Sequence, residues 1–200
     1  MTTVFIGGSR HLRRLDDAQL LNALDKIMVK NHRVLVGDAV GVDESVQRYF
    51  AGKGYGNVVV RHMGDYPRKN HNPGDWEIRR VEDKGERKNF KYFALKDEEM
   101  SLRADYGLML WDGKSKGTLN NVLNLLEEEK YASVYFSPDR SFTTVSTAEE
   151  LNTLLEEKCP PEAVDYFNKK IHLARRVRNL GQANMFFGHK DTRTVPAVYG

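Results

Sequence analysis

The sequence predicts an α/β fold: an open parallel sheet with helices on both faces, followed by a helical C-terminal extension. Two observations predict it. Short, continuously apolar runs that end in glycine alternate with stretches of helical period. Continuous apolar strands separated by helices belong in a parallel sheet covered on both faces, because parallel strands need crossovers.

The elements follow in order. Val4-Phe5-Ile6 is a first strand, followed by Gly7-Gly8-Ser9-Arg10. Leu20, Leu24, Ile27 and Met28 then share one face of a helix that starts near Asp16. Val34-Leu35-Val36 runs into Gly37-Asp38-Ala39-Val40-Gly41, and residues 42–50 have helical period. Val58-Val59-Val60 is the third strand. A helical stretch over 97–103 precedes the fourth, residues 106–111. Leu119, Val122, Leu123 and Leu126 line a helix over 118–129, and residues 132–136 form the fifth strand.

These elements make one Rossmann-like domain over residues 1–137. Within it, residues 63–95 break the repeat. Pro67, Pro73, Gly74 and Gly85 lie there among many charges, with Tyr66, Trp76, Phe90, Tyr92 and Phe93 interleaved. The segment reads as an insertion, either a lid or a partly mobile loop. Residues 138–200 form the helical extension. Ser146-Thr147-Ala148-Glu149 is a capping-box signature ahead of Leu151, Leu154 and Leu155. Pro160-Pro161 starts a second helix with Val164, Phe167, Ile171 and Ala174 on one stripe. From Gly181 onward no period is visible, and a loosely ordered end is expected.

Bulk composition narrows the function. The chain has 200 residues, and its net charge of +3 permits an anionic ligand without demanding nucleic acid. Cys159 alone can make neither an intrachain disulfide nor a cysteine-rich metal site. The six histidines lack metal-ligand spacing, so no metal and no cofactor is expected. No apolar stretch approaches the roughly 20 residues of a membrane span, and the N-terminus reads as a strand, not a signal peptide. A cytoplasmic location without a membrane partner is the expectation. Arg175, Arg176 and Arg178 read as a solvated helix face, and Trp76 as a core residue.

Three glycine-rich loops carry the candidate chemistry, each at the carboxyl end of a strand, where such sheets bind ligands. In Gly7-Gly8-Ser9-Arg10 the glycines let backbone N–H groups approach an anion, Ser9 can donate and Arg10 can pair with phosphate. A plain β-to-α turn with a surface arginine is the alternative. In the loop 37–44, Gly37 and Gly41 form the turn, and Asp38 or Asp43 can accept from ribose hydroxyls. Glu44 is a candidate base or nucleophile, although Asp43 and Glu44 also suit a first helical turn through the dipole. The third loop is Asp112-Gly113-Lys114-Ser115-Lys116-Gly117-Thr118, which suits a phosphate at a helix N-terminus, with an exposed lysine-rich turn as the alternative. It is not a Walker A loop, because the Gly-Lys-Ser/Thr order is absent.

Together the loops resemble the SLOG superfamily, a Rossmann-like group that includes DNA-processing protein A and the Lonely Guy phosphoribohydrolases. Phe5-Ile6-Gly7-Gly8-Ser9-Arg10 looks like the group's first strand and turn, and residues 36–43 look like its Gly-x-Ala-x-Gly-x-Asp element. Lys96-Asp97-Glu98-Glu99-Met100, Ala104-Asp105 and Gly117-Thr118 parallel the Arg-Lys-x-x-Met, Ala-Asp and Gly-Thr series of the phosphoribohydrolases. The resemblance covers residues 3–137. It implies a nucleotide pocket, N-glycosidic hydrolysis and a homodimer whose subunits complete one pocket. The sequence departs from that pattern where the catalytic Glu pair belongs, because Asn120 and Asn121 stand there. Asparagine can hydrogen-bond a ribose but cannot act as a base. The group's arginine is Lys96, which keeps the charge and loses the planar fork.

The functional expectation is therefore binding of a nucleotide or nucleoside phosphate, with hydrolysis an open question. Any reaction would draw its carboxylate from Glu44, Asp43 or Glu99. The ligand would be held by Gly7, Gly8, Ser9, Arg10, Gly37, Asp38, Gly41, Lys96, Asp112, Gly113, Lys114, Ser115, Gly117, Thr118 and Asn121. A non-catalytic nucleotide sensor is the first alternative, and the asparagine pair favours it. Single-stranded DNA binding is the second, and the modest net charge argues against it.

Overall fold

The computed structural model describes residues 1–68, 72–82 and 89–187. Its strands are β1 (Thr3–Gly8), β2 (Arg33–Val36), β3 (Val58–Met63), β4 (Glu77–Val81), β5 (Tyr106–Trp111), β6 (Ala132–Phe136) and β7 (Ser141–Val145). The helices are α1 (Ala18–Val29), α2 (Val42–Gly52), α3 (Phe90–Arg103), α4 (Lys116–Glu127), α5 (Ala148–Lys158), α6 (Pro161–Ile171) and α7 (Leu173–Phe187). The sheet order is β4-β3-β2-β1-β5-β6-β7, parallel except for the antiparallel β6–β7 pair. The α/β reading and the helical C-terminal region are both present.

Alternation along the strands sends side chains to two cores. Val4 and Ile6 of β1 and Leu108 and Leu110 of β5 pack with Leu20, Leu24 and Ile27 of α1 and Val46 and Phe50 of α2. Phe5, Met109 and Trp111 point the other way, onto Leu119, Val122 and Leu123 of α4. β1 and β5 are thus neighbours whose following helices lie on opposite faces. That is the switch point of the sheet, where folds of this kind have their ligand crevice.

Several sequence expectations are corrected. The segment 63–95 is not all lid, because it contains β4 and the first turns of α3. β4 escaped notice because it is an edge strand, with Glu77, Ile78, Arg79 and Arg80 exposed and no apolar run. The expected boundary at residue 137 falls in the turn between β6 and β7, which pair in one sheet. The capping box lies one residue on, with Thr147 capping α5 and Glu150 returning the bond. His172, left-handed at φ 55°, separates α6 from α7, so Ala174 belongs to α7. Helix α7 continues through Gly181 to Phe187, where a loose end was expected; residues 188–200 lie outside the described residues, as do 83–88 with Gly85.

The C-terminal extension packs against the sheet domain on the α4 side. Phe167 and Ile171 enter the core beneath α4. Arg176, expected on a solvated face, donates to Asn120 (2.8 Å), Asn124 (2.7 Å) and both oxygens of Glu127 (2.7 and 2.6 Å).

Candidate functional site

Ser9 fastens the three strand-end loops together. Its N–H donates to Leu110 O (2.9 Å), its carbonyl accepts from Val42 N (3.2 Å), and its hydroxyl donates to Asp112 Oδ2 (2.5 Å). Glycine is required on both sides of it. A Cβ on Gly8 would lie 2.7 Å from Val42 Cγ2 and closer still to Leu110 O. Gly41 has φ +91°, and its Cβ would lie 2.5 Å from Arg10 Cα.

The loop after β5 is largely self-satisfied. Asp112 Oδ1 accepts from Lys114 N (3.0 Å) and Ser115 N (2.8 Å), so the protein's own carboxylate occupies two donors expected to face a ligand. Ser115 caps α4 by accepting from Thr118 N (3.3 Å) and from the Thr118 hydroxyl (3.0 Å). Among the described residues the N–H groups of Lys116 and Gly117 have no acceptor, as a first helical turn leaves them. Phe136 and the end of α5 back Gly113, and the Lys116 ammonium stands 4.5 Å from the Phe90 ring centroid. Lys114 remains exposed.

The loop after β2 encloses a buried charge cluster. Asp43 is 7% exposed and Lys96 3% exposed. They meet across Gly37, where a Cβ would lie 2.7 Å from Lys96 Nζ and closer to the Asp43 carboxylate. Asp43 Oδ2 accepts from Ala39 N (3.1 Å), Lys96 is ion-paired with Asp97, and Gln47 donates to Gly37 O (2.7 Å). Burial pushes the Asp43 carboxyl up to about 6, against the attraction of Lys96. Burial also opposes the charge on Lys96, yet Asp97, Asp43 and Asp38 hold its pKa above the ordinary lysine value. Asp38 is engaged by Arg68 through its N–H (3.0 Å), Nε (3.1 Å) and Nη2 (2.7 Å). Burial raises the Asp38 carboxyl, but the Arg68 hydrogen bonds prevail and leave it lowered. The Arg68 guanidinium in turn lies 4.6 Å from the Phe93 centroid, which ties part of the segment 63–95 to the site.

The other expected residues separate. Glu44 pairs with Arg48 along α2, and Glu99 pairs with Arg61 (3.2 Å) and Arg103 (2.5 Å). Of the three expected carboxylates, Asp43 alone joins the buried cluster with Lys96. Asn121 is buried beside Gly7, and its Oδ1 has no partner among the described residues. Asn120 turns away to Arg176.

The loop after β1 carries more basic side chains than Arg10 alone. Arg10, His11, Arg13 and Arg14 are all exposed, and none has a carboxylate partner among the described residues. The signal was present as a cationic run directly following the glycines. Arg68 and Gln47 were also missed; their partners lie 30 and 10 residues away, with no local pattern to link them. No group of His, Cys, Asp and Glu among the described residues is arranged to hold a metal. No helix among them is long and apolar enough to cross a membrane.

Comparison places this geometry among known folds. No protein-family model matches the sequence, and no curated protein matches it. Among solved structures the chain is similar to DNA processing protein A from Helicobacter pylori, described for its single-stranded DNA binding mode. The two are 15% identical, with 86% of this chain and 80% of that chain covered and a TM-score of 0.56. The two chains share a fold. The expected Rossmann-like α/β fold is thereby borne out. The molybdenum cofactor carrier protein from Chlamydomonas reinhardtii is also similar, at 14% identity, 90% and 96% coverage and a TM-score of 0.47.

Proposed function

We propose that the chain binds a nucleotide or nucleoside phosphate in the crevice between the loops that follow β1 and β5. The observation that carries this reading is the run Arg10, His11, Arg13 and Arg14, exposed and without carboxylate partners at the switch point. Arginine side chains without carboxylate partners raise the local potential and draw in anions. Guanidinium groups also match phosphate oxygens as planar forks. Lys114 and the free N–H groups of Lys116 and Gly117 supply a second set of donors. Binding is the conclusion, not turnover. Of the three candidate carboxylates for a glycosidic reaction, Asp43 is buried and already engaged by Lys96 and the Ala39 N–H.

A thermal-shift series tests the reading. A ligand at 100 times its dissociation constant stabilises by about 2.7 kcal/mol. Nucleoside monophosphates should raise the melting temperature, and the parent nucleosides should not. The Arg13→Ala/Arg14→Ala double variant should weaken the response at least tenfold, and these exposed positions leave the fold intact. No shift with any nucleotide contradicts the reading. Mass spectrometry of the recovered ligand separates binding from cleavage. Affinity for single-stranded DNA that falls steeply with salt would instead favour a nucleic-acid partner through the same arginines.

A further inference from the structure

We infer that Asn121 is a specificity-determining residue whose amide takes a sugar hydroxyl of the ligand, one helical turn beneath the bound phosphate. The inference rests on the nucleotide reading for the phosphate and on the packing around Asn121 for the hydroxyl.

One row of α4 faces the sheet. Along it Leu125 packs onto Gly107 of β5 and Asn121 onto Gly7 of β1. Gly117 continues the row one turn above, because residues four apart share a helix face. A helical side chain tilts toward the N-terminus of its helix. The Asn121 amide is therefore directed at the turn that carries the free N–H groups of Lys116 and Gly117. Little stands between them. Apart from the helix backbone, a Cβ at Gly117 would have only Ser115 Oγ within 4 Å, at 3.8 Å. Gly7 and Gly117 are both partly exposed, so the amide is bordered by two glycines that reach the surface.

Asn121 is 5% exposed, and neither end of its amide has a hydrogen-bond partner among the described residues. A buried polar group left unpaired is costly, and folded proteins satisfy nearly all of theirs. The neighbouring strand end shows the contrast. β1 and β2 pair with Ile6 opposite Val36, which places Gly7 beside Gly37. Over Gly37 the space is filled by Asp43 and Lys96, whereas over Gly7 it borders an amide with nothing to bind. The gap is also small. A carbon at the Gly7 Cβ position would lie 3.4 Å from Asn121 Nδ2 and 3.1 Å from the Phe5 ring. A hydroxyl oxygen suits that gap and a base ring does not. No protein group fixes which end of the amide faces Gly7, and a hydroxyl both donates and accepts, so either end meets it. The sugar is the part of a nucleotide joined directly to the phosphate, so it is the part that reaches this depth.

Isothermal titration of the wild type and Asn121→Leu tests this, with AMP, GMP, CMP and UMP and then the 2′,3′-dideoxy form of the tightest binder. The wild type should bind the dideoxy form at least tenfold more weakly than its ribonucleotide. Asn121→Leu should bind the ribonucleotide at least tenfold more weakly than the wild type does, and should tell the two forms apart by less than twofold. Leucine is close to asparagine in shape and leaves no amide unpaired, so the variant should melt no lower than the wild type. A variant that melts several degrees lower and keeps the wild-type discrimination assigns Asn121 to the fold alone and overturns the inference. Equal binding of both forms by the wild type overturns it without any variant and leaves the phosphate reading standing. Absence of binding by every nucleotide overturns both.

Discussion

Replacing Lys96 with methionine is expected to lower the stability of the fold by about 3–5 kcal/mol at pH 7. Methionine keeps the length and apolar stem, so the loss isolates the ammonium. Lys96 is 3% exposed, paired with Asp97 and set beside Asp43, which is itself 7% exposed. Without the cation, the buried Asp43 carboxylate would be left in the field of Asp97 with no neutralising charge between them. The pH dependence has a definite sign. Burial raises the Asp43 carboxyl from 3.8 to about 6, so over that interval the folded state holds a proton the unfolded state has released. The stability from this group is fully present below about pH 4 and is lost as pH rises through about 6. Removing Lys96 raises the Asp43 carboxyl further, so the deficit of Lys96→Met should shrink when the protein is acidified. Chemical denaturation at pH 4.5 and pH 7 checks this. A deficit below 1 kcal/mol, or one that grows on acidification, contradicts the account of the cluster.

Gly41→Ala is expected to cost about 2–5 kcal/mol, from left-handed backbone strain together with overpacking. The backbone at Gly41 has φ +91°, and an added Cβ would press on the Arg10 backbone, which has nowhere to move while Ser9 holds β5 and α2. The loop carrying Arg10, Arg13 and Arg14 would have to shift, so nucleotide affinity should fall in the same variant. Gly52→Ala is the control. It ends α2 with nothing within 4 Å of a new Cβ, and it should be neutral or slightly stabilising. If both substitutions behave alike in denaturant titrations, the close approach of the two loops is wrong.

The parts of the molecule legible in sequence were those governed by local pattern. β1, β2, β3, β5 and β6 are apolar runs buried on both faces, and glycine marks where each functional loop begins. The convergence of Ser9, Gly41 and Asp112 follows from that placement at the strand ends. β4 and β7 were not legible, because edge strands need not be apolar and theirs are charged or rich in threonine. The choice among carboxylates was hidden for another reason. Asp43, Glu44 and Glu99 look alike in sequence, and α3 crossing the end of β2 brings Lys96 to Asp43 while Glu99 is left to Arg61. Asp38 likewise reads as a ribose acceptor until Arg68 claims it. Asn120 and Asn121 are adjacent, yet helical geometry sends one to Arg176 and the other to Gly7.

Amide hydrogen exchange with and without a saturating nucleoside monophosphate tests the central claim most directly. Binding in the crevice between the loops after β1 and β5 predicts slowed exchange across residues 9–15 and at Lys116 and Gly117, with α5 and α6 unchanged. Slowing confined to α5, α6 and α7, or bound nucleotide with no change in either loop, would contradict it.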